Sequence, residues 1–236
     1  MNENPQTADK VRLYGGESLP ERRARRRHQF LDAGLQVFGS TGYRTATVRQ
    51  LCKQAELTDR YFYESFDTLE DLLMAVYQRE FDHLQNAVLA AMTTTAQAAE
   101  ATGSAARQDL MQVLQAGLQA LFKMASDPQV ARVCWLEVLG VSPRVDVMYN
   151  NTCSQFAELI SQFARQHIQP WPLKPDETRM VGVALVGAVS QSITHWLIGG
   201  HKERISTLVT VATLVFRGCL SGLLAEAAAA SKQRKA

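Results

Sequence analysis

The sequence predicts an all-α fold. Along most of its 236 residues, apolar side chains recur at the roughly 3.6-residue spacing of amphipathic helices. Glycines at 42, 199 and 200 and prolines at 128, 143, 170, 172 and 175 stand where these periodic stretches stop or restart, as helix boundaries do. No stretch shows the two-residue alternation of a half-buried strand, and no internal repeat is found.

The N-terminal segment, residues 1–21, mixes Asn, Glu, Pro, Thr and Gly without periodicity. We interpret it as a mobile basic tail. A first amphipathic helix follows, and its apolar residues are Phe30, Leu31, Leu35, Val37 and Phe38. Gly42 suits the left-handed conformation that ends a helix.

Two short helices joined by a tight turn are predicted next. Thr47 is a good N-cap, and Gln50 completes the capping-box spacing of a helix that runs to Gln54. Residues 55–57 are too few for anything but a turn, and Thr58 can cap the following helix. Two helices so joined form a helix-turn-helix, whose second helix lies in the major groove of DNA.

The residues around this motif resemble the N-terminal DNA-binding domain of the TetR family of bacterial transcription regulators. The resemblance covers about a quarter of the chain, and its most specific part is the aromatic run at Phe62, Tyr63 and Phe66. The matching positions are Phe38, Gly42, Thr47, Val48, Leu51, Ala55, Leu57, Tyr63, Phe66, Glu70 and Leu72. It implies a DNA-binding domain over residues 22–67 and an effector-binding and dimerisation domain over residues 68–236.

Two positions depart from the family pattern. The turn glycine of the family is Glu56 here, and a non-glycine residue with positive φ is uncommon. The lysine that opens the fourth helix in the family and touches phosphate is Leu69.

The charge distribution also indicates DNA binding. Residues 22–60 carry nine basic side chains against three acidic ones, a local net charge of +6 in a chain whose total is +2. A basic head on a mildly acidic body is typical of nucleic-acid contact. Arg60 could bond the O6 and N7 of a guanine, whereas Asp59 could accept from cytosine or only cap its helix. The predicted DNA-binding residues are Arg44, Thr47, Arg49, Thr58, Asp59, Arg60, Tyr61 and Tyr63.

The rest of the chain is predicted to be helix after helix. A fourth helix starts at Leu69 and runs past Val88, and since it joins the head to the body, we expect any signal to travel along it. Loops are expected at residues 102–104 and at the proline-rich residues 169–175. The further predicted helices span residues 107–125, 130–139, 143–167, 176–198 and 204–230. Asp176 is the predicted cap of the fourth of these.

The body offers candidate residues for two further roles. Aromatic and Met side chains at helical spacing are usually plain core, but the resemblance implies an apolar effector cavity between the middle helices. The candidates for its wall are Trp135, Tyr149, Asn150 and Phe156. The resemblance also implies that the last two helices pair with their copies in a second subunit, and the predicted interface residues are Gly182, Val186, Val189, Ile193, Val211 and Val215.

Composition excludes several other classes of protein. The four cysteines and five histidines have no metal-ligand spacing, so neither a metal nor a cofactor is expected. No catalytic motif is found, and we expect no enzyme activity. The longest uncharged apolar run is about half the roughly 20 residues of a membrane span, so a cytoplasmic protein without a membrane partner is expected.

The sequence is therefore interpreted as a homodimeric TetR-like regulator, expected to be a repressor that binds a palindromic double-stranded DNA operator and is released by a small apolar effector. Two alternatives stay open. One is a ligand-independent DNA-binding or nucleoid-associated protein. The other is a helical protein–protein adaptor, which the departures at Glu56 and Leu69 favour.

Overall fold

The computed structural model describes residues 18–102 and 106–233. Within these ranges the chain is built from α-helices without a strand, which confirms the predicted all-α fold. A 3₁₀ turn at Tyr43–Thr45 separates the first two helices, and a π turn at Val133–Glu137 follows the sixth. The helices are α1 (Leu19–Ser40), α2 (Val48–Ala55), α3 (Asp59–Tyr63), α4 (Leu69–Thr102), α5 (Ala106–Met124), α6 (Pro128–Arg132), α7 (Pro143–His167), α8 (Pro175–Ile198) and α9 (Ile205–Gln233).

Local capping explains where several helices begin. The predicted capping box of α2 is present: the Gln50 N–H donates to the Thr47 hydroxyl oxygen at 3.2 Å, and the Thr47 N–H donates to Gln50 Oε1 at 2.9 Å. The Asp127 carboxylate accepts the Gln129 N–H at 2.8 Å at the start of α6. Side chains thus satisfy N–H groups that have no partner within the helix.

The predicted N-terminal tail needs correction. Helix α1 begins at Leu19, so residues 19–21 are helical, and residues 1–17 lie outside the described residues. A capping box between Ser18 and Glu21 fixes this start. The description of the tail as basic was also wrong, because residues 1–21 contain two basic side chains against four acidic ones.

Other predicted boundaries differ from the structure in smaller ways. Asp176 lies inside the first turn of α8, since the helix begins at Pro175 and the residue before it is Lys174. Of the loop predicted at residues 102–104, Thr102 is the last residue of α4 and the other two lie outside the described part of the chain. The single helix predicted for residues 130–139 is instead α6 and the π turn, followed by a tight turn at Gly140.

The head formed by α1, α2 and α3 packs closely against the body. One hydrophobic core runs through both, from Phe30 and Phe38 in α1 to Trp135 and Ile193 in the body. At Gly39, a side-chain Cβ would lie 2.6 Å from the Cβ of Gln129, so the absence of a side chain allows α1 and α6 to touch. The N-terminal helices are therefore held by the body at a second place besides α4.

Candidate functional site

Helices α2 and α3 form the predicted helix-turn-helix. The turn between them is closed at Glu56, which has φ 54° and ψ 36°, the left-handed conformation expected at this position. The Leu57 N–H donates to the Cys52 carbonyl at 3.0 Å across the turn. A residue other than glycine in this conformation carries strain of about 1 kcal/mol or more, so the surrounding helices stabilise it.

Aromatic packing fixes the angle between α3 and α1. Phe62 is completely buried and meets the ring of Phe30 edge to face at 5.4 Å. Phe66 is also buried and lies 6.0 Å from Phe62, centroid to centroid. Both residues are core residues. Their burial leaves the opposite face of α3 in solvent.

The predicted DNA-binding residues lie on the exposed side of the head, with one exception. Seven of the eight are exposed, and the ring of Tyr63 is among the most exposed large apolar groups of the chain. Tyr61 is half-buried, because the guanidinium carbon of Arg26 lies 4.1 Å from the centroid of its ring. The structure thus leaves all of them except Tyr61 open to solvent.

Glu64 organises the basic groups of this surface, and the sequence pattern did not single it out. Arg60 Nε donates to Glu64 Oε1 at 3.2 Å, and Arg26 Nη2 donates to Glu64 Oε2 at 3.4 Å. The four-residue spacing between Arg60 and Glu64 was a signal that could have revealed this pair. The side chain of Arg60 is 83% exposed and needs to leave only this exposed ion pair to reach a base edge.

Two of the predicted residues also have a structural role. The Thr47 hydroxyl donates to Gln50 Oε1 at 3.0 Å within the capping box. Asp59 Oδ1 accepts the Arg60 N–H at 3.0 Å at the start of α3, the capping alternative considered for this residue. Leu69 packs against the core and offers no charge to a phosphate.

A cavity of about 320 Å³ lies in the body between α4, α5, α7, α8 and α9. It follows α4 from Tyr77 to Met92, a length of about 22 Å at the rise of an α-helix, and is therefore elongated. Its inner end, next to the head, is bordered by Tyr77, Trp135 and Tyr149. At the other end, the exposed residues Gln162 and Gln166 mark the mouth.

The cavity wall is apolar and without charge. Among the described residues that line it there is no Asp, Glu, Lys, Arg or His. Burial raises the pKa of the Tyr149 hydroxyl to about 12 and the pKa of the Cys153 thiol above its ordinary value. Burial likewise raises the pKa of Tyr77 and of Cys134. These groups are neutral at physiological pH and can only offer hydrogen bonds to a ligand.

Three of the four predicted ligand-binding residues border this cavity. Trp135, Tyr149 and Phe156 lie in its wall. Asn150 does not: it is exposed on α7, and its side-chain amide donates to the Asp146 carbonyl at 2.9 Å. The sequence pattern missed Tyr77 and Phe81 of α4 as cavity residues. Phe81 meets Phe156 edge to face at 4.9 Å.

Helices α8 and α9 leave an apolar face in solvent. Its large residues are Met180, Val183, Ile198, Val211, Leu214 and Val215. By length and composition alone, both helices are apolar enough to cross a membrane. In the most apolar window of α8 only 28% of the residues are buried within the subunit, and in that of α9 only 22%. Such a large exposed apolar face marks an interaction surface.

The predicted interface residues divide between this face and the core. Val211 and Val215 are exposed on it. Val189 and Ile193 are buried within the subunit, and Val186 borders the cavity. Gly182 is covered by α7, because a Cβ there would lie 2.7 Å from the Ala157 carbonyl oxygen. The apolar periodicity of α8 came from its inner face and could not by itself show which face was already covered.

Comparison with known proteins identifies the N-terminal part of the chain. Residues 30–76 match the family model of bacterial regulatory proteins of the tetR family. The HTH-type transcriptional activator FasR of Mycolicibacterium smegmatis is 27% identical over 183 residues, which cover 77% of this chain and 76% of FasR.

Solved structures share the fold of most of the chain. The fatty acid degradation regulator FadR from Bacillus halodurans superposes with a TM-score of 0.66 at 22% identity, over 84% of this chain and 96% of that one. FadR from Bacillus subtilis, solved in complex with stearoyl-CoA, superposes with a TM-score of 0.60 at 18% identity, over 80% and 96% of the two chains. The part of the chain from α1 to α4 therefore matches the tetR family of bacterial regulatory proteins, and the chain shares its all-α architecture with the two FadR regulators.

Proposed function

We propose that this regulator binds a two-fold-symmetric DNA operator as a homodimer, and that an acyl chain held in the cavity changes its affinity for that operator. The proposal assigns DNA binding to residues 22–67, and ligand binding and dimerisation to residues 68–236. The observation that carries the ligand part is the elongated, uncharged cavity along α4.

The shape and chemistry of the cavity favour an acyl chain. Its volume falls at the lower end of small-molecule sites, and it extends along about 22 Å of helix. A hydrocarbon tail would reach the inner end at Tyr77 and Trp135, while a polar group would stay at the mouth beside Gln162 and Gln166. Because no Lys or Arg of the described chain lines the cavity or its mouth, a free carboxylate would have no charged partner there. The stearoyl-CoA complex of Bacillus subtilis FadR makes a long-chain acyl thioester the natural first probe.

The DNA part of the proposal follows from the exposed surface of the head. Arg60 and Asp59 in the first turn of α3 are assigned to base edges, together with Thr58 and Tyr61. Tyr63, Arg44, Arg49 and Thr47 are assigned to the sugar–phosphate backbone. Exposure of seven of these residues and the basic charge around them support the assignment.

The exposed face of α8 and α9 supports the homodimer. A second copy of the same face would cover Val211, Leu214 and Met180, and the two-fold axis would present two recognition helices to a palindromic site. In such a dimer, which would bind DNA in the cytoplasm, the second subunit rather than a membrane covers the apolar faces of α8 and α9. Repression stays a prediction: the related FasR is named an activator, and a DNA-bound dimer can act in either direction.

DNA binding can be tested by fluorescence anisotropy with DNA from upstream of the gene, at several salt concentrations and with random competitor. Tight, competitor-resistant binding with a steep salt dependence is expected. Arg60→Ala should weaken binding to the specific site by about 5- to 150-fold and reduce discrimination against changed bases, as loss of about 1–3 kcal/mol implies. Lys53→Ala, which removes an exposed charge of α2 outside the assigned set, is the matched control. Equal affinity of the Arg60→Ala protein for the specific site would refute the assignment.

Ligand control can be tested with stearoyl-CoA and free stearate on the preformed DNA complex. Stearoyl-CoA should change DNA affinity, and free stearate should have a much smaller effect. Leu114→Trp fills the cavity and should abolish the response, whereas Val147→Trp, on an exposed part of α7, should keep it. A regulator that binds its operator with no response to any acyl length would instead be a ligand-independent DNA-binding protein.

A further inference from the structure

The π turn at Val133–Glu137 borders both the cavity and the head. Cys134 and Trp135, in the middle of the turn, are buried and lie in the cavity wall. Arg132 and Glu137, which flank them in the sequence, face the end of α1 and the 3₁₀ turn that follows it. A single residue of the chain thus separates each of these cavity-wall side chains from a residue that contacts the DNA-binding domain.

The contacts on the head side are short and charged. Arg132 Nε donates to Glu137 Oε1 at 2.7 Å, and Arg132 Nη1 donates to the Ser40 carbonyl at 2.7 Å. Glu137 Oε2 accepts the backbone N–H of Tyr43 at 2.7 Å. We call this pair, with its bonds to Ser40 and Tyr43, the Arg132–Glu137 clamp.

The clamp holds the segment that leads into the helix-turn-helix. Ser40 is the last residue of α1, and Tyr43 opens the 3₁₀ turn that ends two residues before Thr47, the cap of α2. Gly42 lies between them with φ 92°, and a Cβ there would come within 2.8 Å of Arg132 Nη2. The head therefore has room for the clamp because this residue has no side chain.

The π turn is what allows the two clamp residues to meet. Residues five apart point about 140° away from each other around an α-helix, which turns by 3.6 residues. In a π turn, where backbone hydrogen bonds join residues five apart, the same two side chains come onto one face. Conversion of the turn to α-helix would swing Glu137 away from Tyr43 and open the clamp. Single π turns inside helices are frequent at functional sites.

We propose that Arg132 and Glu137 are positioning residues which transmit the state of the cavity to the DNA-binding domain, through a change of the π turn when a ligand displaces Trp135. The proposal rests on the proposed ligand control, and it adds which residues connect the cavity to the DNA-binding domain. It also corrects the expectation that any signal must travel along α4, because the clamp joins body and head independently of that helix.

The first test needs no ligand. Hydrogen exchange of the Tyr43 amide, followed by mass spectrometry with residue-resolved fragmentation, reports whether Glu137 still accepts its N–H. Trp135→Leu changes the cavity wall within the π turn and should speed this exchange several-fold. Phe156→Leu, in the same wall but on α7, should leave it unchanged. Equal exchange in the wild-type and Trp135→Leu proteins would overturn the proposal.

The second test measures the ratio of DNA affinities with and without stearoyl-CoA. Coupling between two sites is typically about 5- to 150-fold, and Glu137→Ala should bring the ratio within about twofold of one. Stearoyl-CoA affinity in the absence of DNA should stay near that of the wild type, and Arg132→Lys, which keeps one charged donor, should keep part of the ratio. Arg179→Ala, which removes an exposed ion pair of α8, is the control.

The outcomes separate the two proposals. If Glu137→Ala weakens DNA binding equally with and without stearoyl-CoA, the clamp is merely structural and the inference is refuted. If the wild type itself does not respond to stearoyl-CoA, the proposed ligand control fails. The exchange of the Tyr43 amide in the Trp135→Leu protein then shows by itself whether a change at Trp135 opens the Arg132–Glu137 clamp.

Discussion

Leu214 lies on the exposed face of α9 with 56% of its surface accessible, where the proposed dimer would cover it. Replacing it by Ala removes apolar surface that the isolated subunit does not bury. The folding of the subunit should therefore change little, and association of two subunits should weaken. This separation makes Leu214→Ala a sharp test of the interface.

The size of the effect follows from the exposed area. Full burial of a Leu side chain stabilises by about 1.5–3 kcal/mol, so the accessible half contributes about 1 kcal/mol at the interface. Two-fold symmetry places the change in both subunits and doubles it to about 2 kcal/mol. At 1.4 kcal/mol for each factor of ten, the dissociation constant of the dimer should rise about 30-fold.

Sedimentation equilibrium over a range of protein concentrations measures this constant directly. Val147→Ala, which shortens a side chain 59% exposed on α7, should leave it unchanged. Ile193→Ala removes a fully buried side chain of α8 and should lower the free energy of unfolding by about 2–5 kcal/mol. A dimer constant within threefold of the wild type for Leu214→Ala would refute this interface and leave another surface, or a membrane, to cover the face.

Three further predictions concern single residues. Glu56→Gly should raise the free energy of unfolding by about 0.5–1 kcal/mol in urea titrations, because glycine adopts the left-handed conformation without strain. Gly39→Ala should lower it by about 1–3 kcal/mol, since its Cβ would lie 2.7 Å from the Cα of Gln129 in α6. Tyr149 should titrate with a pKa of about 12 in the ultraviolet absorbance of phenolate, against 10.0 for an ordinary tyrosine. A raised pKa favours the neutral hydroxyl in the folded state, so its contribution to stability is complete below pH 10 and is lost as the pH rises towards 12.

Controls are available for each of these measurements. Gln54→Gly, in the exposed part of α2, should destabilise by about 1 kcal/mol, the opposite sign to Glu56→Gly. Unchanged stability of the Gly39→Ala protein would show that α6 is not held against α1. Tyr149→Phe should remove one titrating group of raised pKa. If the Tyr149→Phe protein still showed that titration, the signal would belong to another tyrosine, such as Tyr77, whose pKa is also raised.

The features that the sequence determined are local. Capping pairs such as Thr47 with Gln50, and proline and glycine at boundaries, act between residues a few positions apart, so the limits of α2 and the start of α3 could be predicted within a residue or two. The turn at Glu56 followed from spacing in the same way. The exposure of Arg60 on α3 was predictable because the helix-turn-helix motif itself determines which residues of this short helix are buried.

The tertiary structure decided which apolar faces are covered, and by what. Periodicity showed that α8 is apolar, but only packing within the subunit shows that Gly182 and Ile193 face inward while Met180 remains exposed. Asn150 is next to Tyr149 in the sequence, yet a helix turns by about 100° per residue and carries it out of the cavity. The pairing of Arg132 with Glu137 depends on a π turn that propensity does not reveal, and on Ser40 and Tyr43, about 90 residues earlier in the chain. Contacts between distant residues depend on how whole helices pack. The apolar periodicity of one helix does not show which other helices cover it.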